Sequence, residues 1–174
     1  MACLPRLAAP RRLRDDPNSF IRLIRRICRL NEMVSAVQSR VAEQVIESIE
    51  DPLSDAILEQ LYLVFSEPLL LAALDLVDQE CIVKTITPWG HTEYSVNASS
   101  SAATYLVFIG LPDSRKPHIC TCPAYSYSVL LSDSHVTCKH ILAVRISEKL
   151  GNCGARMLEN DEELARLIVQ QACQ

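Results

Sequence analysis

Apolar residues recur at helical spacing through the first half of the chain. The pattern begins at Asn18 or Ser19, either of which can cap a helix, and it continues to Glu50, just before Pro52. One apolar stripe on this helix consists of Val34, Val37, Val41, Val45 and Ile49. The part of the helix before it has an apolar face on a basic background, which consists of Phe20, Leu23, Ile24, Ile27 and Leu30. Such a stripe usually faces a core, although a basic amphipathic helix can also bind a membrane surface or a partner.

Two shorter helices are predicted next. Ser54 is a suitable cap for the first, and Pro68 is suited to the first turn of the second, which we expect to continue through Val77. Their apolar positions would pack the three helices together and present a surface to the rest of the protein or to a partner.

After Asp78 the apolar residues alternate instead, and β-branched residues become frequent. Residues 81–87 and 92–96 predict two strands of a hairpin, with Gly90 in the turn, and residues 105–109 predict a third strand. The sequence therefore predicts an α+β protein with a small antiparallel sheet.

Two further helices follow the strands. The first carries Ile141, Leu142 and Ile146, and Gly151 stands where it should end. The second is predicted beyond Asn160, which acts as its cap, with Glu163 three residues later, and we expect it to dock on the core. We predict a basic disordered extension over residues 1–17 and one compact domain over 18–174. That domain comprises a helical region (18–78), a hairpin region with a metal site (79–150) and a C-terminal helix (151–174).

Composition is consistent with a small single-core protein. The chain has 174 residues, of which 49% are hydrophobic, and no apolar run is long enough to predict a membrane span. Charge is unevenly distributed: residues 1–31 hold eight arginines and two aspartates, whereas residues 32–80 hold one arginine and eleven acidic residues. Residues 81–150 carry six bases and four acids, a weak positive charge for a nucleic-acid-binding surface.

The basic N-terminal segment is open to several interpretations. Its arginines are typical of a mitochondrial presequence, but Asp15 and Asp16 interrupt that pattern. It could also bind phosphates or serve as a nuclear address, and a simple solvated extension is the plainest interpretation. Eight cysteines without a secretory signal indicate a reducing compartment, where thiols stay free to bind metal.

Four residues form the most specific motif in the chain. Cys120 and Cys122 are followed, after a fifteen-residue spacer, by Cys138 and His140. Three thiolates and one imidazole fill the tetrahedral shell of zinc, so the motif predicts one structural zinc ion and no open catalytic position. Residues two apart diverge by about 200° on a helix, so we expect Cys138 and His140 at the entry to the following helix.

The cysteines allow other interpretations as well. Disulfides are disfavoured, since adjacent positions of a Cys-x-Cys rarely bridge each other. Buried free thiols are the simplest interpretation of the remaining five cysteines, Cys3, Cys28, Cys81, Cys153 and Cys173. His118 and His135 lie close enough in sequence to be substitute ligands, or they are solvated loop histidines.

Aromatic residues within the spacer have two alternative roles. Tyr125 and Tyr127 could stack on unpaired bases while Lys139 and Arg145 contact phosphates. They could equally be lids over a small metal-centred core.

Enzymatic motifs are lacking in the sequence. The four glycines, at 90, 110, 151 and 154, form neither a phosphate-binding loop nor a dinucleotide fingerprint, and no nucleophile elbow is present. We therefore expect a protein that is not an enzyme.

The metal motif, with Ala143 three residues after His140, resembles the SWIM zinc finger family. The flanking runs at residues 73–78 and 122–130 are similar to the SWIM subunits of Shu complexes. This resemblance implies a structural zinc ion, a packing role for Ala143, a nuclear location and a heterodimer with a RecA-like ATPase paralogue. It also implies a role in homologous recombination, with the complex promoting recombinase filaments on single-stranded DNA.

Two alternatives stay open at this point. Other SWIM proteins belong to ubiquitin pathways, so the chain could be a recruiting module there. It could also bind nucleic acid by itself, in which case binding would depend steeply on salt.

Overall fold

A computed structural model describes residues 17–97, 103–112 and 116–172. The predicted disordered extension lies outside this part of the chain, apart from Pro17. The chain divides into two units, residues 1–37 and 38–174. The prediction that residues 18–174 form one compact domain stays a prediction.

Three helices make up the first half of the described chain. They are α1 (Pro17–Glu47), α2 (Asp55–Val64) and α3 (Glu67–Asp78). Ser54 caps α2, since its hydroxyl accepts a hydrogen bond from the Ile57 amide at 3.4 Å, and Pro68 lies in the first turn of α3. The predicted starts of both helices are therefore confirmed, and each has the local chemistry that the sequence indicated.

The prediction that the valine stripe of α1 faces the core is wrong for most of its members. Ile49, just beyond the helix, is buried and Val45 is partly buried, but Val34, Val37 and Val41 are exposed. Ala42 and Ile46 contribute to the core instead. Both sets have helical spacing, so periodicity alone could not choose between them.

Five strands form a mixed sheet in the order β4-β3-β2-β1-β5. They are β1 (Ile82–Ile86), β2 (Thr92–Asn97), β3 (Thr104–Phe108), β4 (Ile119–Cys120) and β5 (Gly154–Met157). The predicted hairpin is confirmed, with Gly90 at a φ of 84° in its turn, a conformation that favours glycine. The α+β class is confirmed too, but the sheet is larger than the three predicted strands, and β5 pairs parallel to β1.

The centre of the fold is α4 (Lys139–Leu150), which packs against α3 and the sheet. Every residue from His140 to Ser147 is buried, including the predicted packing residue Ala143. Gly151 ends the helix with a φ of 68°, as the sequence predicted. A seven-residue π-helix, Tyr125–Leu131, fills the spacer between the two halves of the metal motif.

The last helix, α5 (Asp161–Ala172), begins with the predicted cap. The Glu163 amide donates a hydrogen bond to Asn160 Oδ1 at 3.0 Å, and the Glu163 carboxylate accepts one from the Glu159 amide at 2.9 Å. Leu164 and Leu167 are partly buried, whereas Ile168 is exposed. No helix within the described ranges combines the length and the apolar character that crossing a bilayer requires.

Candidate metal centre

The four residues of the metal motif converge in the folded chain. One ligand atom from each of Cys120, Cys122, Cys138 and His140 lies within 4.8 Å of the others, and all four side chains are buried. Among the residues that the structure describes, this is the one such group of potential metal ligands. The structure thus brings together the full predicted set; the assignment of each residue as a zinc ligand stays a prediction.

Strand β4 and the turn after it position the first two sulfurs. Cys120 lies on β4, where it pairs with Val107 of β3, and Cys122 lies two residues further along the chain. The Cys122 amide donates to Cys120 Sγ at 3.4 Å, and the Tyr125 amide donates to Cys122 Sγ at 3.3 Å. Because amide donors favour a negatively charged sulfur, this turn is suited to hold thiolates.

Cys138 and His140 lie at the start of α4, as predicted. Cys138 is the N-cap, with an extended backbone (φ −100°, ψ 165°), and His140 falls in the first helical turn. The change from extended to helical backbone between them is what lets two residues so close in sequence face one point.

The thiols of the cluster alter one another's pKa values through hydrogen bonds. Hydrogen bonds with Cys122 and Cys138, together with burial, raise the pKa of Cys120 far above its usual range. Hydrogen bonds from Cys120 and Cys138 hold the pKa of Cys122 far below it. The hydrogen bonds therefore favour the ionised form of Cys122 over that of Cys120. A divalent cation at the centre would favour the ionised form of all three thiols.

His140 presents one nitrogen to the sulfurs and keeps the other apart. Its Nδ1 lies 3.7 Å from Cys120 Sγ, whereas Nε2 is buried with no hydrogen-bond partner in the described part of the chain. The ring of Tyr105, on β3, stacks on the imidazole with the centroids 4.5 Å apart and the planes 29° apart. Stacking on one face and burial in α4 together fix the orientation of the ring.

These observations fit zinc. Bonds of about 2.3 Å from zinc to sulfur place tetrahedral sulfurs about 3.8 Å apart. This separation is compatible with a cluster whose ligand atoms all lie within 4.8 Å of one another. Three cysteines and one histidine complete the shell, so a bound ion would have no vacancy for water or substrate. The cluster can hold one zinc ion, and such an ion would connect β4 and the turn after it to the start of α4.

Neither of the two alternative histidines belongs to the cluster. His118 accepts a hydrogen bond from the Gly110 amide at its Nδ1 (3.2 Å), and its Nε2 lies 3.2 Å from Glu43 Oε1. His135 is exposed, with its Nδ1 3.1 Å from Ser134 Oγ. Both are occupied by other contacts, which leaves His140 as the imidazole of the site.

The two tyrosines of the spacer have different environments. Tyr125 is buried and its hydroxyl donates to the His118 carbonyl at 2.7 Å, so it is part of the core around the metal centre. Its burial raises the pKa of the phenol. Tyr127 is exposed and has no such role. The lid interpretation therefore holds for Tyr125, and only Tyr127 is available to stack on a base.

Arg145 does not serve as a phosphate contact on the surface. Its side chain is only 7% exposed, and it forms hydrogen bonds of 2.8 Å with Glu43 and with Glu47, both on α1. Of the other described bases in residues 81–150, Lys84, Lys116 and Lys149 also form ion pairs, which leaves Lys139 as the one described base in this range without one. Little positive charge is therefore left for a phosphate backbone.

The fold and the site define a small α+β protein with one zinc-finger site, and comparison with known families agrees with this class. Residues 105–147 match the SWIM zinc finger family, a range that contains all four predicted ligands. The matched family is named for a metal-binding finger, not for a catalytic activity.

Similarity to individual proteins extends well beyond the finger. Zinc finger SWIM domain-containing protein 7 from Mus musculus is 35% identical over 81% of this chain and 86% of its own length. The protein of that name from Homo sapiens is 32% identical, over 82% of this chain and 94% of its own, and that from Danio rerio is 32% identical, over 75% and 91%. The chain belongs to the family of zinc finger SWIM domain-containing protein 7. No solved structure shows significant similarity to it.

The sequence does not predict the roles of two residues around the site. It places Tyr105 in a strand, but no local pattern indicates that this side chain stacks on His140. Glu43 belongs to an acidic region of the sequence, and only the fold shows that it contacts both His118 and Arg145. Arg145 and Glu43 are 102 residues apart, so a pattern within one segment carries no signal for the pair.

Proposed function

We propose that this chain is the zinc-binding subunit of a Shu-like complex. In this proposal it forms a heterodimer with a RecA-like ATPase paralogue and supports homologous recombination in the nucleus. The complex would promote or stabilise RecA-like recombinase filaments on single-stranded DNA. The observation that carries the proposal is similarity to the named relatives over 75–82% of the chain, which extends into the helical region as well as the finger.

The closed metal centre supports a structural role for the finger. Four buried ligands leave no position for a substrate, so zinc would stabilise the fold around β4 and the start of α4 instead of activating water. Zinc in sites of this kind contributes on the order of 10 kcal/mol to the folded state. A partner-binding surface in this half of the protein would therefore depend on the metal for its shape.

The distribution of charge favours a role through a partner over direct binding of nucleic acid. Four of the five described bases in residues 81–150 form ion pairs within the protein, and residues 32–80 are strongly acidic. Affinity for a phosphate backbone rises with the number of bases free to neutralise it. Single-stranded DNA would accordingly be bound by the complex, with the partner supplying most of the positive charge.

The proposed role is not enzymatic. The cysteines with the most perturbed pKa values are those that would bind metal, and the sequence contains no phosphate-binding loop. ATP binding and hydrolysis would belong to the RecA-like partner.

Affinity purification with quantitative mass spectrometry tests the proposal. The tagged chain is compared with Cys138→Ser, which removes a predicted ligand, and with Cys81→Ser, which changes a partly buried cysteine outside the cluster. We expect a RecA-like ATPase to be enriched with the unchanged chain and with Cys81→Ser, and to be lost with Cys138→Ser.

A second measurement uses the purified proteins. Fluorescence anisotropy with labelled single-stranded DNA should show weak binding by the chain alone and tighter binding by the heterodimer. Recovery of a ubiquitin ligase in place of the ATPase, or tight and steeply salt-dependent binding by the chain alone, would overturn the proposal in favour of one of its alternatives.

A further inference from the structure

Exposed apolar side chains lie near the middle of α1. Met33, Val34 and Val37 are 65%, 56% and 60% exposed, which is unusual for three large apolar side chains within five residues. The next member of the pattern, Val41, is exposed as well. We call the row formed by Val34 and Val37, with its sequence continuation toward the N-terminus, the α1 seam.

The sequence of α1 repeats with a period of seven through this seam. If Val34 is given heptad position a, every a and d position from residue 20 to residue 41 is apolar. The a positions are Phe20, Ile27, Val34 and Val41, and the d positions are Leu23, Leu30 and Val37. Apolar a and d positions that repeat over three heptads are the pattern of a coiled coil, and the apolar Ile24 and Met33, at an e and a g position, flank the repeat.

The residue types favour a two-stranded arrangement. Three of the four a positions are β-branched, and two of the three d positions are leucine, the combination that favours a pair of helices over three or four. One further helix would therefore cover the seam.

The positive charge near the α1 seam determines which kind of partner helix would bind there. Residues 17–37 contain four arginines and one glutamate, a net charge of +3, and the exposed Arg26 occupies a g position beside the seam. In a two-stranded coiled coil, the g residues of one helix face the e residues of the other. The e residues of this chain are Ile24, Asn31 and Gln38, so a second copy of the chain would offer Arg26 no acidic partner. An acidic helix would satisfy it.

We infer that the α1 seam binds an acidic amphipathic helix of a partner protein in a two-stranded coiled coil. The seam residues Val34 and Val37 would lie between the helices, and Arg26 would pair with glutamate or aspartate of the partner. The inference rests on the proposed function only because it requires a protein partner. It is tested with a peptide instead of that partner, so failure of the inference and failure of the proposed function are distinguishable.

Isothermal titration calorimetry with a synthetic helix provides the test. The probe has four heptads with Ile at a, Leu at d and Glu at both e and g, and the matched probe has Lys in place of Glu. We expect the full zinc-loaded chain to bind the glutamate probe in a 1:1 ratio and the lysine probe at least tenfold more weakly. Affinity for the glutamate probe should fall as salt is raised, because exposed charges are screened.

Variants locate the binding site. Val34→Glu with Val37→Glu should weaken binding of the glutamate probe at least tenfold. The control, Leu63→Glu with Leu131→Glu, alters two exposed apolar side chains on other elements and should leave binding unchanged. Replacing the g residues Arg26 and Arg40 by Glu should reverse the preference toward the lysine probe. Zinc content and helical circular dichroism equal to the unchanged chain show that each variant is folded.

Four outcomes would overturn the inference. The glutamate probe is not bound, or the seam variant binds it as tightly as the unchanged chain does. Alternatively, sedimentation shows that the chain forms a dimer that the seam variant abolishes, which assigns the seam to a second copy. Finally, the chain binds vesicles of phosphatidylserine and phosphatidylcholine but not the probe, which assigns the basic helix to a membrane surface.

Discussion

Arg145 Nη1 donates a hydrogen bond of 2.8 Å to Glu43 Oε2, and this bond joins the helix of the metal centre to the C-terminal part of α1. The same guanidinium donates through Nη2 to Glu47 at 2.8 Å, and Lys149 also pairs with Glu47. The arginine is nearly buried while both glutamates are partly solvated, so its charge depends on them for compensation.

Replacing Arg145 by methionine should destabilise the protein measurably. The change keeps an apolar stem of similar length but removes the donors that satisfy Glu43 and Glu47. Because Glu43 retains contact with water and with His118, we expect a loss of about 1–3 kcal/mol, below the 3–5 kcal/mol typical of a fully buried pair. Urea unfolding of the zinc-loaded protein measures it.

Arg166→Met is the matched control for that prediction. Arg166 also forms an ion pair, with Glu162 one helical turn away, but both side chains are 75% exposed. An exposed pair of this kind contributes at most about 0.5 kcal/mol. Equal losses for the two variants would show that Arg145 is not the buried connection between α4 and α1.

Glu43 makes the same connection sensitive to acid. Hydrogen bonds from His118 and Arg145 lower the pKa of its carboxyl from 4.5 to about 2, although partial burial opposes the shift. Because the folded-state pKa is below the unfolded value, the stability that Glu43 contributes is fully present above about pH 4.5. It is lost as the pH falls from there toward about 2.

A comparison with Glu43→Gln isolates this contribution. The difference in unfolding free energy between the two proteins should shrink as the pH falls below about 4.5. The two proteins are compared at pH values where both hold the same amount of zinc, because zinc release is itself linked to protons. Glu59→Gln, on the exposed side of α2, serves as the control with no such trend. A difference that stayed constant down to pH 3 would contradict the prediction.

Local chemistry explains which features the sequence could predict. Ser54, Gly90, Gly151 and Asn160 each act through backbone groups a few residues away, so their patterns were sufficient to place helix ends and the hairpin turn. The four-residue metal motif belongs to the same category, because ligand spacing constrains the local backbone directly.

Features that depend on distant parts of the chain were missed. Strand β5 has four exposed residues and no alternation of burial, so only its pairing with β1 defines it. The core-facing side of α1 was misassigned because two apolar stripes fit the same period, and tertiary packing chose Ala42 and Ile46. The stacking of Tyr105 on His140 likewise needed the fold.

Tyr105 should orient the predicted imidazole ligand. Tyr105→Leu removes an aromatic stack worth about 0.5–1.5 kcal/mol, whereas Tyr105→Phe keeps the ring. We expect the leucine variant to bind zinc more weakly in a competition with a chromogenic chelator, and the phenylalanine variant to match the unchanged protein. If both variants bound zinc as tightly as the unchanged protein, the stack would have no part in positioning His140.

Removing one predicted ligand should cost the protein its metal as well as its stability. Cys138→Ser removes the thiol of the residue at the N-cap position of α4, and a hydroxyl is a poor zinc ligand at neutral pH. We expect the zinc content, measured by mass spectrometry of the metal, to fall from one ion per chain to nearly none, with a lower melting temperature. Cys81→Ser changes a cysteine outside the cluster, whose thiol donates to the carbonyl and side chain of Gln79, and this variant should retain one ion per chain. Full zinc content and an unchanged melting temperature in Cys138→Ser would refute the assignment of this cysteine as a ligand.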